Sequence, residues 1–397
     1  MILSPVKKQV TDSHILLSSQ ITFQTPSLPS MPDTLWFKVA REHEPYISEN
    51  SLNPFLLAML FPAMLLGEPI QIMGPVSLEL LEGVYSVQHH FNSWFPELKK
   101  VTILPDGDEP ALPNKIATGQ GVCFSGGLDS FYSLKCYLDH PNPRLRPTHL
   151  LTALIGPPLP WQREEMFLQM LAHYLPFAHN YGMKIVSPSS NACDFSEKLN
   201  LWWGHIAHGV ITAAAAHLYP GLWQRVVIPS SHYGFFYPFG STPFTDPLLG
   251  SDMIQLVNHG SSHTRVDKTL AVSQWEPTYS LLNVCARRPH PVMNCGQCEK
   301  CWRTMFTLLC AGALERYTTF PYQTNQRGEI LLPHWDPTSL IHNDVQAIHQ
   351  TEVLEFAKRC HQHQVATAIS QALDHYHQNI RHQQPTPANR ETYSWMR

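Results

Sequence analysis

Residues 121–130 read Gly121-Val122-Cys123-Phe124-Ser125-Gly126-Gly127-Leu128-Asp129-Ser130, or GVCFSGGLDS. The apolar run at its start suits a buried strand, and Leu128, Phe131, Leu134 and Leu138 recur at helical spacing. A strand, a Ser-Gly-Gly turn and a helix N-terminus together make an anion cradle. Glycine lets the backbone approach closely, the first amides of the helix point outward, and its dipole favours negative charge. Ser125 and Ser130 add hydroxyl donors. Asp129 repels a phosphate unless a cation stands between them, so it implies Mg²⁺. The pattern points to a nucleotide site. The competing reading is a Gly-Gly turn capped by Ser125 or Asp129. Two other phosphate motifs are excluded: no Gly-Lys-Ser/Thr follows a glycine-rich loop, and Gly119-Gln120-Gly121 lacks the third glycine of a dinucleotide fingerprint.

A second signal lies downstream, where Cys285, Cys295, Cys298 and Cys301 are spaced C-x9-C-x2-C-x2-C. Four thiolates close in sequence describe a tetrahedral structural zinc site, with an iron–sulfur cluster as the alternative. Gly296 allows a tight turn between ligands, and Arg287, Arg288, Lys300 and Arg303 are placed to offset thiolate charge. Cysteines 123, 136, 193, 310 and 360 are scattered, as reduced thiols are.

SGGLDS resembles the PP-loop of the ATP pyrophosphatase superfamily (adenine nucleotide alpha hydrolase-like), whose SGGxDS signature stands here without a substitution. With the cysteine cluster following in this order, the chain is similar to the 7-cyano-7-deazaguanine synthase branch, whose last three cysteines are arranged C-x2-C-x2-C. The resemblance covers roughly residues 118–310. It implies a substrate strand and loop at Val227-Ile228-Pro229-Ser230-Ser231-His232 and Phe244-Thr245-Asp246-Pro247. The branch's Tyr-Pro-Asp is missing there, and Asp246 is only its positional counterpart. It also implies a lysine ahead of the zinc site, which Lys268 in Thr264-Arg265-Val266-Asp267-Lys268 matches.

The expected chemistry follows from that resemblance. ATP lies on Ser125, Gly126, Gly127, Leu128, Asp129 and Ser130, with Mg²⁺ on Asp129 and Zn²⁺ on the four cysteines. Asp129, Ser130 and Lys268 are the catalytic candidates; Ser231, His232, Asp246 and Arg265 complete the nucleotide and substrate contacts. A carboxylate or amide oxygen attacks the α-phosphorus, pyrophosphate leaves, and a nitrogen nucleophile displaces AMP: a ligase-type, C–N bond-forming reaction. The alternatives are a sulfur-inserting PP-loop enzyme and a partner-dependent nucleotide-binding component of a defence or modification system. A small molecule is the expected acceptor, with a protein or peptide as the second choice and a homodimer as a further option.

With 397 residues, 43% of them hydrophobic, the chain is long enough for two domains, and its net charge of −4 gives no basic field for nucleic acid. No stretch has the length and purity of a membrane span, and the N-terminus lacks a secretory pattern, so a cytoplasmic enzyme is expected. The expected fold class is α/β: a parallel sheet with helices on both faces, a small N-terminal α/β unit and a four-cysteine zinc-binding segment. Boundaries fall at 1–115, 116–320 (with the zinc segment 285–301) and 321–397. The linker is 105–115 (PDGDEPALPNK), and the last part begins helical and ends as a disordered tail. Strands are expected at 15–23, 34–40, 70–72, 101–104, 121–124, 148–154, 183–186 and 225–228. Helices are expected at 54–66, 77–94, from 128, at 160–175 and at 204–218. His205 and His208 share a helical face and read either as a ligand pair or as packing. The run 233–239 (YGFFYPF) reads as a core plug or as a stacking wall, and the histidines among glutamines near the C-terminus read as a solvated face.

Overall fold

The computed structural model describes residues 1–25, 31–107, 117–157, 164–231, 233, 238–288, 290–324, 326, 330–331 and 341–380. Packing groups the chain into two units, one of residues 1–125 and 129–262, the other of 126–128 and 263 onward.

The first unit holds two sheets. Strands β1 (Ile2–Leu3), β2 (Lys7–Val10), β3 (His14–Thr22) and β4 (Thr34–Ala40) open it. In β4 every second side chain is buried, the period of a strand with one covered face. Helix α1 (Asn53–Leu66) follows, with Pro54 in its first turn, where a missing N–H costs nothing. Twelve of its fourteen residues are buried, too many for one stripe, so it is an interior helix. Next come β5 (Ile70–Ile72), α2 (Leu78–Trp94) and β6 (Ile103–Pro105). Ser77 caps α2, its hydroxyl accepting from the Leu80 amide at 3.2 Å.

The chain then alternates strand and helix through β7 (Gly119–Cys123), α3 (Leu128–Leu138), β8 (His149–Leu151), α4 (Glu164–Asn180) and β9 (Lys184–Val186). It continues with β10 (Ser189–Ser190), α5 (Ala192–Lys198), α6 (His208–His217), β11 (Trp223–Pro229) and β12 (Gln255–His259). Strands β12-β11-β7-β8-β9 form a five-stranded sheet in that order, every pair parallel. The other sheet is mixed, ordered β10-β4-β3-β1-β5-β6 with β2 on β3. Strand β10 comes from the middle of the alternating segment and pairs antiparallel with β4.

That pairing changes the reading of the N-terminal region. Residues 1–115 are not a separate small unit: one hydrophobic core runs from Met1 through α1, Phe195 and α6 to Leu256. The boundary at 115 marks a change of sequence character, not of packing. Strand β12 and helix α5 had no place in the sequence expectation. The linker expected at 105–115 lies mostly outside the described residues.

The second unit contains α7 (Arg265–Val272), α8 (Thr278–Leu281), α9 (Glu299–Cys310), a short β13 (Gln323–Thr324) and β14 (Ile330–Leu331) hairpin, α10 (Asp344–Arg359) and α11 (His363–His375). Its core joins Val266, Trp302 and Phe306 to Val353, Ala357, Ile369 and Tyr376. The cysteine segment and the C-terminal helices therefore share one unit, where the sequence boundary at 320 had divided them. Residues 381–397, including the expected tail, lie outside the described residues. Among the described residues, no helix is long and apolar enough to cross a membrane.

Candidate functional site

Strand β7 ends at Cys123 in the centre of the parallel sheet, and α3 begins at Leu128. Between them the chain turns with Gly126 at φ +72°, left-handed backbone that a side chain disfavours. The turn is pinned at its root. The Phe124 amide donates to Leu151 O at 2.8 Å, and the Thr152 hydroxyl donates to Phe124 O at 2.9 Å. The Phe124 ring packs edge-on against Phe131 and Tyr174. Beyond this root Ser125 is exposed and Asp129 half-buried, while Leu128 and Ser130 are buried. Gly126–Leu128 group with the second unit, where the Asn283 amide donates to Gly126 O at 2.8 Å.

The sheet order makes this position special. From β7 the chain proceeds outward through β8 and β9, then returns to place β11 and β12 on the other side of β7. The connections leaving neighbours β7 and β11 therefore head in opposite directions along the sheet, and beyond the carboxyl ends of such a strand pair open parallel sheets hold ligands. SGGLDS follows one of these strands and Ser230-Ser231 the other. Ser230 is buried, its amide donating to His259 O at 2.8 Å, and Ser231 is half-buried. His232 lies outside the described residues.

Asp246 is fully buried on the turn Asp246–Leu249. Its carboxylate accepts from Ser241 Oγ at 2.6 Å, Asn258 Nδ2 at 2.8 Å and the Thr242 amide at 3.2 Å. These bonds tie residues 241–246 to the end of β12. Burial lifts the acid to about 6, against the opposing pull of its three donors. Burial, and then the Asp246 charge, push the Cys123 thiol up to about 12. His259, another residue without a sequence signal, closes the same edge with Nδ1 2.9 Å from Ser133 Oγ on α3.

Lys268 and Arg265 lie on α7 in the second unit. Thr264 and Asp267 form a reciprocal cap at its start. Lys268 is 1% exposed. The Arg265 amide donates to Glu352 Oε2 at 3.1 Å, and the guanidinium charge pulls against the burial that raises Glu352.

The four cysteines converge in the same unit, their sulfurs all within 4.8 Å of one another. The Sγ–Sγ separations include 3.4 Å for Cys298–Cys301, 3.8 Å for Cys295–Cys301 and 4.0 Å for Cys285–Cys298. A tetrahedral ion with Zn–S bonds of about 2.3 Å requires sulfurs about 3.8 Å apart, so the set can hold a metal ion. Backbone amides point at the sulfurs: Arg288 to Cys285 at 3.2 Å, and Gln297 and Cys298 to Cys295 at 3.4 and 3.3 Å. Hydrogen bonds shared with Cys285 and then Cys301 make Cys298 the readiest thiolate. A thiolate there pushes Cys285 up. Gly296 turns at φ +66°, and a Cβ on it would meet Pro321 Cγ at 2.5 Å.

One residue the sequence reading passed over organises this centre. Buried Asn294 accepts from the Val284 and Cys285 amides at 2.8 and 3.1 Å and donates to Leu282 O at 2.9 Å. It fastens the strand of chain carrying the first cysteine to the turn carrying the others. Arg303, expected to offset thiolate charge, pairs with Glu299 at 3.3 Å.

His205 and His208 are packed among aromatics. His205 stacks on Trp202 at 4.4 Å, and the His205 and His208 rings both meet Phe239 edge-on. Burial drives His208 down to about 4, and its Nδ1 lies 3.1 Å from Trp203 O. Most of the run 233–239 lies outside the described residues. A cleft of about 210 Å³ also opens in the first unit, lined by Trp36, Lys38, Leu154, Glu164, Ser189 and Asp194 among others. Trp36 and Lys38 reach it from a strand more than a hundred positions away in sequence, so no local pattern announces it. No protein-family model, curated protein or solved structure matches the chain.

Proposed function

We propose that the protein is an ATP-dependent adenylating enzyme of the PP-loop type, activating a carboxylate or amide oxygen for attack by a nitrogen nucleophile. The observation that carries this reading is the placement of an unsubstituted SGGLDS on a strand–turn–helix at the point where a parallel sheet reverses its strand order. In this reading the turn amides and Ser125 hold the phosphates, and Asp129 holds Mg²⁺, which would offset the charge of the triphosphate. The acceptor oxygen attacks the α-phosphorus as the bond to pyrophosphate breaks. The nitrogen nucleophile then attacks the activated carbon and AMP leaves. The chain's own contribution is to fix the reactants in line and complement the charge that develops.

The compact sulfur set supports a single zinc ion over an iron–sulfur cluster, which spreads its cysteines over separate irons. Zinc with four protein thiolates has no open position for water, so its part is structural.

The test is product analysis with purified protein, Mg-ATP and a metabolite extract. Extract-dependent AMP and pyrophosphate are expected, and Asp129→Ala should lower that turnover at least about a hundredfold with its melting temperature kept. ADP and phosphate as products, or full turnover by the variant, would reject the proposal. Tight Mg-ATP binding without turnover, across extracts and candidate protein acceptors, would leave a nucleotide-binding role in place of catalysis.

A further inference from the structure

One carbonyl of the SGGLDS turn is held from outside it. The Asn283 amide donates to Gly126 O at 2.8 Å, and both residues belong to the second unit. A peptide plane is rigid and trans, so its C=O and the N–H that follows point in opposite directions. Fixing Gly126 O therefore fixes the direction of the Gly127 N–H, one of the amides such a turn offers to a phosphate. This peptide joins two glycines. With no side chain on either flank it turns over at little cost unless something holds it.

Asn283 is itself clamped. It is fully buried, two residues ahead of Cys285. Its Oδ1 accepts from the Cys285 amide at 3.2 Å, and its Nδ2 donates to Pro291 O at 3.3 Å. Asn294, the residue before Cys295, grips the chain on both sides of it. Asn294 Oδ1 accepts from the Val284 amide at 2.8 Å, and Nδ2 donates to Leu282 O at 2.9 Å. The Thr319 hydroxyl adds a second donor to Leu282 O at 2.8 Å. The frame thus closes between the first cysteine and the second, whose sulfurs belong to the set that can hold a metal ion. An ion bound there would keep the frame shut; without it, sulfurs that ionise repel one another.

We infer that Asn283 is a positioning residue through which the cysteine centre sets the turn, so that a divalent metal ion and a nucleoside triphosphate strengthen each other's binding. The inference rests on the nucleotide reading above. Coupling of this kind is reciprocal: each ligand raises the affinity for the other by the same factor.

The test compares two variants of the full chain with the wild type, zinc content being read with a chromophoric chelator. Asn283→Pro removes the donating N–H, and Leu282, at φ −68° and ψ 115°, already has the extended backbone that precedes a proline. Asn283→Ala keeps the N–H. With zinc bound, calorimetric titration should show Asn283→Pro holding Mg-ATP about tenfold more weakly than the wild type, and Asn283→Ala within about twofold of it. In the wild type, Mg-ATP should raise zinc affinity about tenfold, a gain that Asn283→Pro loses. Should the proline variant not take up zinc, the wild-type coupling alone decides. A wild type whose zinc affinity is indifferent to Mg-ATP, or that takes up no zinc, would overturn the inference. So would a zinc-loaded Asn283→Pro that binds Mg-ATP like the wild type. These outcomes leave the nucleotide reading standing, whereas a zinc-loaded wild type with no affinity for Mg-ATP would reject that reading and the inference with it.

Discussion

Asp246 shows how burial and hydrogen bonding divide a side chain's behaviour. Three donors hold its carboxylate, yet withdrawal from water wins and raises the acid from 3.8 to about 6. A carboxyl whose folded pKa is raised binds its proton more tightly in the native state. Stability therefore falls as pH rises from about 4 to about 6 and stays lowered above that. A rise of that size sets the loss at no more than about 3 kcal/mol. Asp246→Asn removes this dependence, so urea titrations at a series of pH values should show the wild type losing ground to the variant across that window. Parallel curves would show that Asp246 keeps an ordinary acidity. The turn between the clustered cysteines offers a residue-scale test of another kind. Gly296→Ala places a Cβ against Pro321 on left-handed backbone and should cost about 1–2 kcal/mol of stability. Zinc affinity should drop about tenfold, read by competition with a chromophoric chelator. Unchanged affinity would mean the turn can open without disturbing the sulfurs.

At the scale of elements, the sequence was most legible where a local pattern and a tertiary demand agree. The alternation of Thr34–Ala40, the apolar density of Asn53–Leu66 and the turn chemistry before Leu128 each fix their element without help from afar. Strand β12 is different. Gln255-Leu256-Val257-Asn258-His259 has two apolar residues, and it is a strand because β11 pairs with it along five residues. Strand β10 is two serines, silent in any propensity, placed by the edge of β4. The helix expected over 204–218 begins instead with a wider turn at Trp203–Ala207, where His205 and His208 are held by Trp202, Trp203 and Phe239. The cysteine cluster could be read because cysteine spacing is local. Asn294 could not, because an asparagine draws no notice until the five groups around it are known.

At the scale of the molecule, two units imply two stabilities. With the proposed metal bound, its removal would leave four thiolates crowded together in the second unit and should destabilise that unit selectively. Hydrogen exchange after treatment with a strong chelator should therefore increase across α9, while α1, in the shared core of the first unit, stays protected. Equal loss in both helices would show that the units melt together. The first unit, by contrast, should not be divisible. A fragment of residues 116–397 uncovers α6, whose buried run of alanines shares its core with α1, and removes β4 from β10. Such a fragment is expected to be insoluble or to lack dispersed amide resonances, and a folded, soluble 116–397 would restore the boundary at 115.

The shared core also sets a timetable. Helix α1 is complete when the ribosome has made residue 66, but the residues of α6 that join its core end at 217. At ordinary elongation rates that interval of 151 residues lasts about 8 to 30 s. Through all of it a fourteen-residue segment with no charged side chain has emerged without its final cover. The first 66 residues thus behave as a client of whatever shields nascent chains, and slowing synthesis between them and α6 should lower the yield of folded protein more than slowing it afterwards.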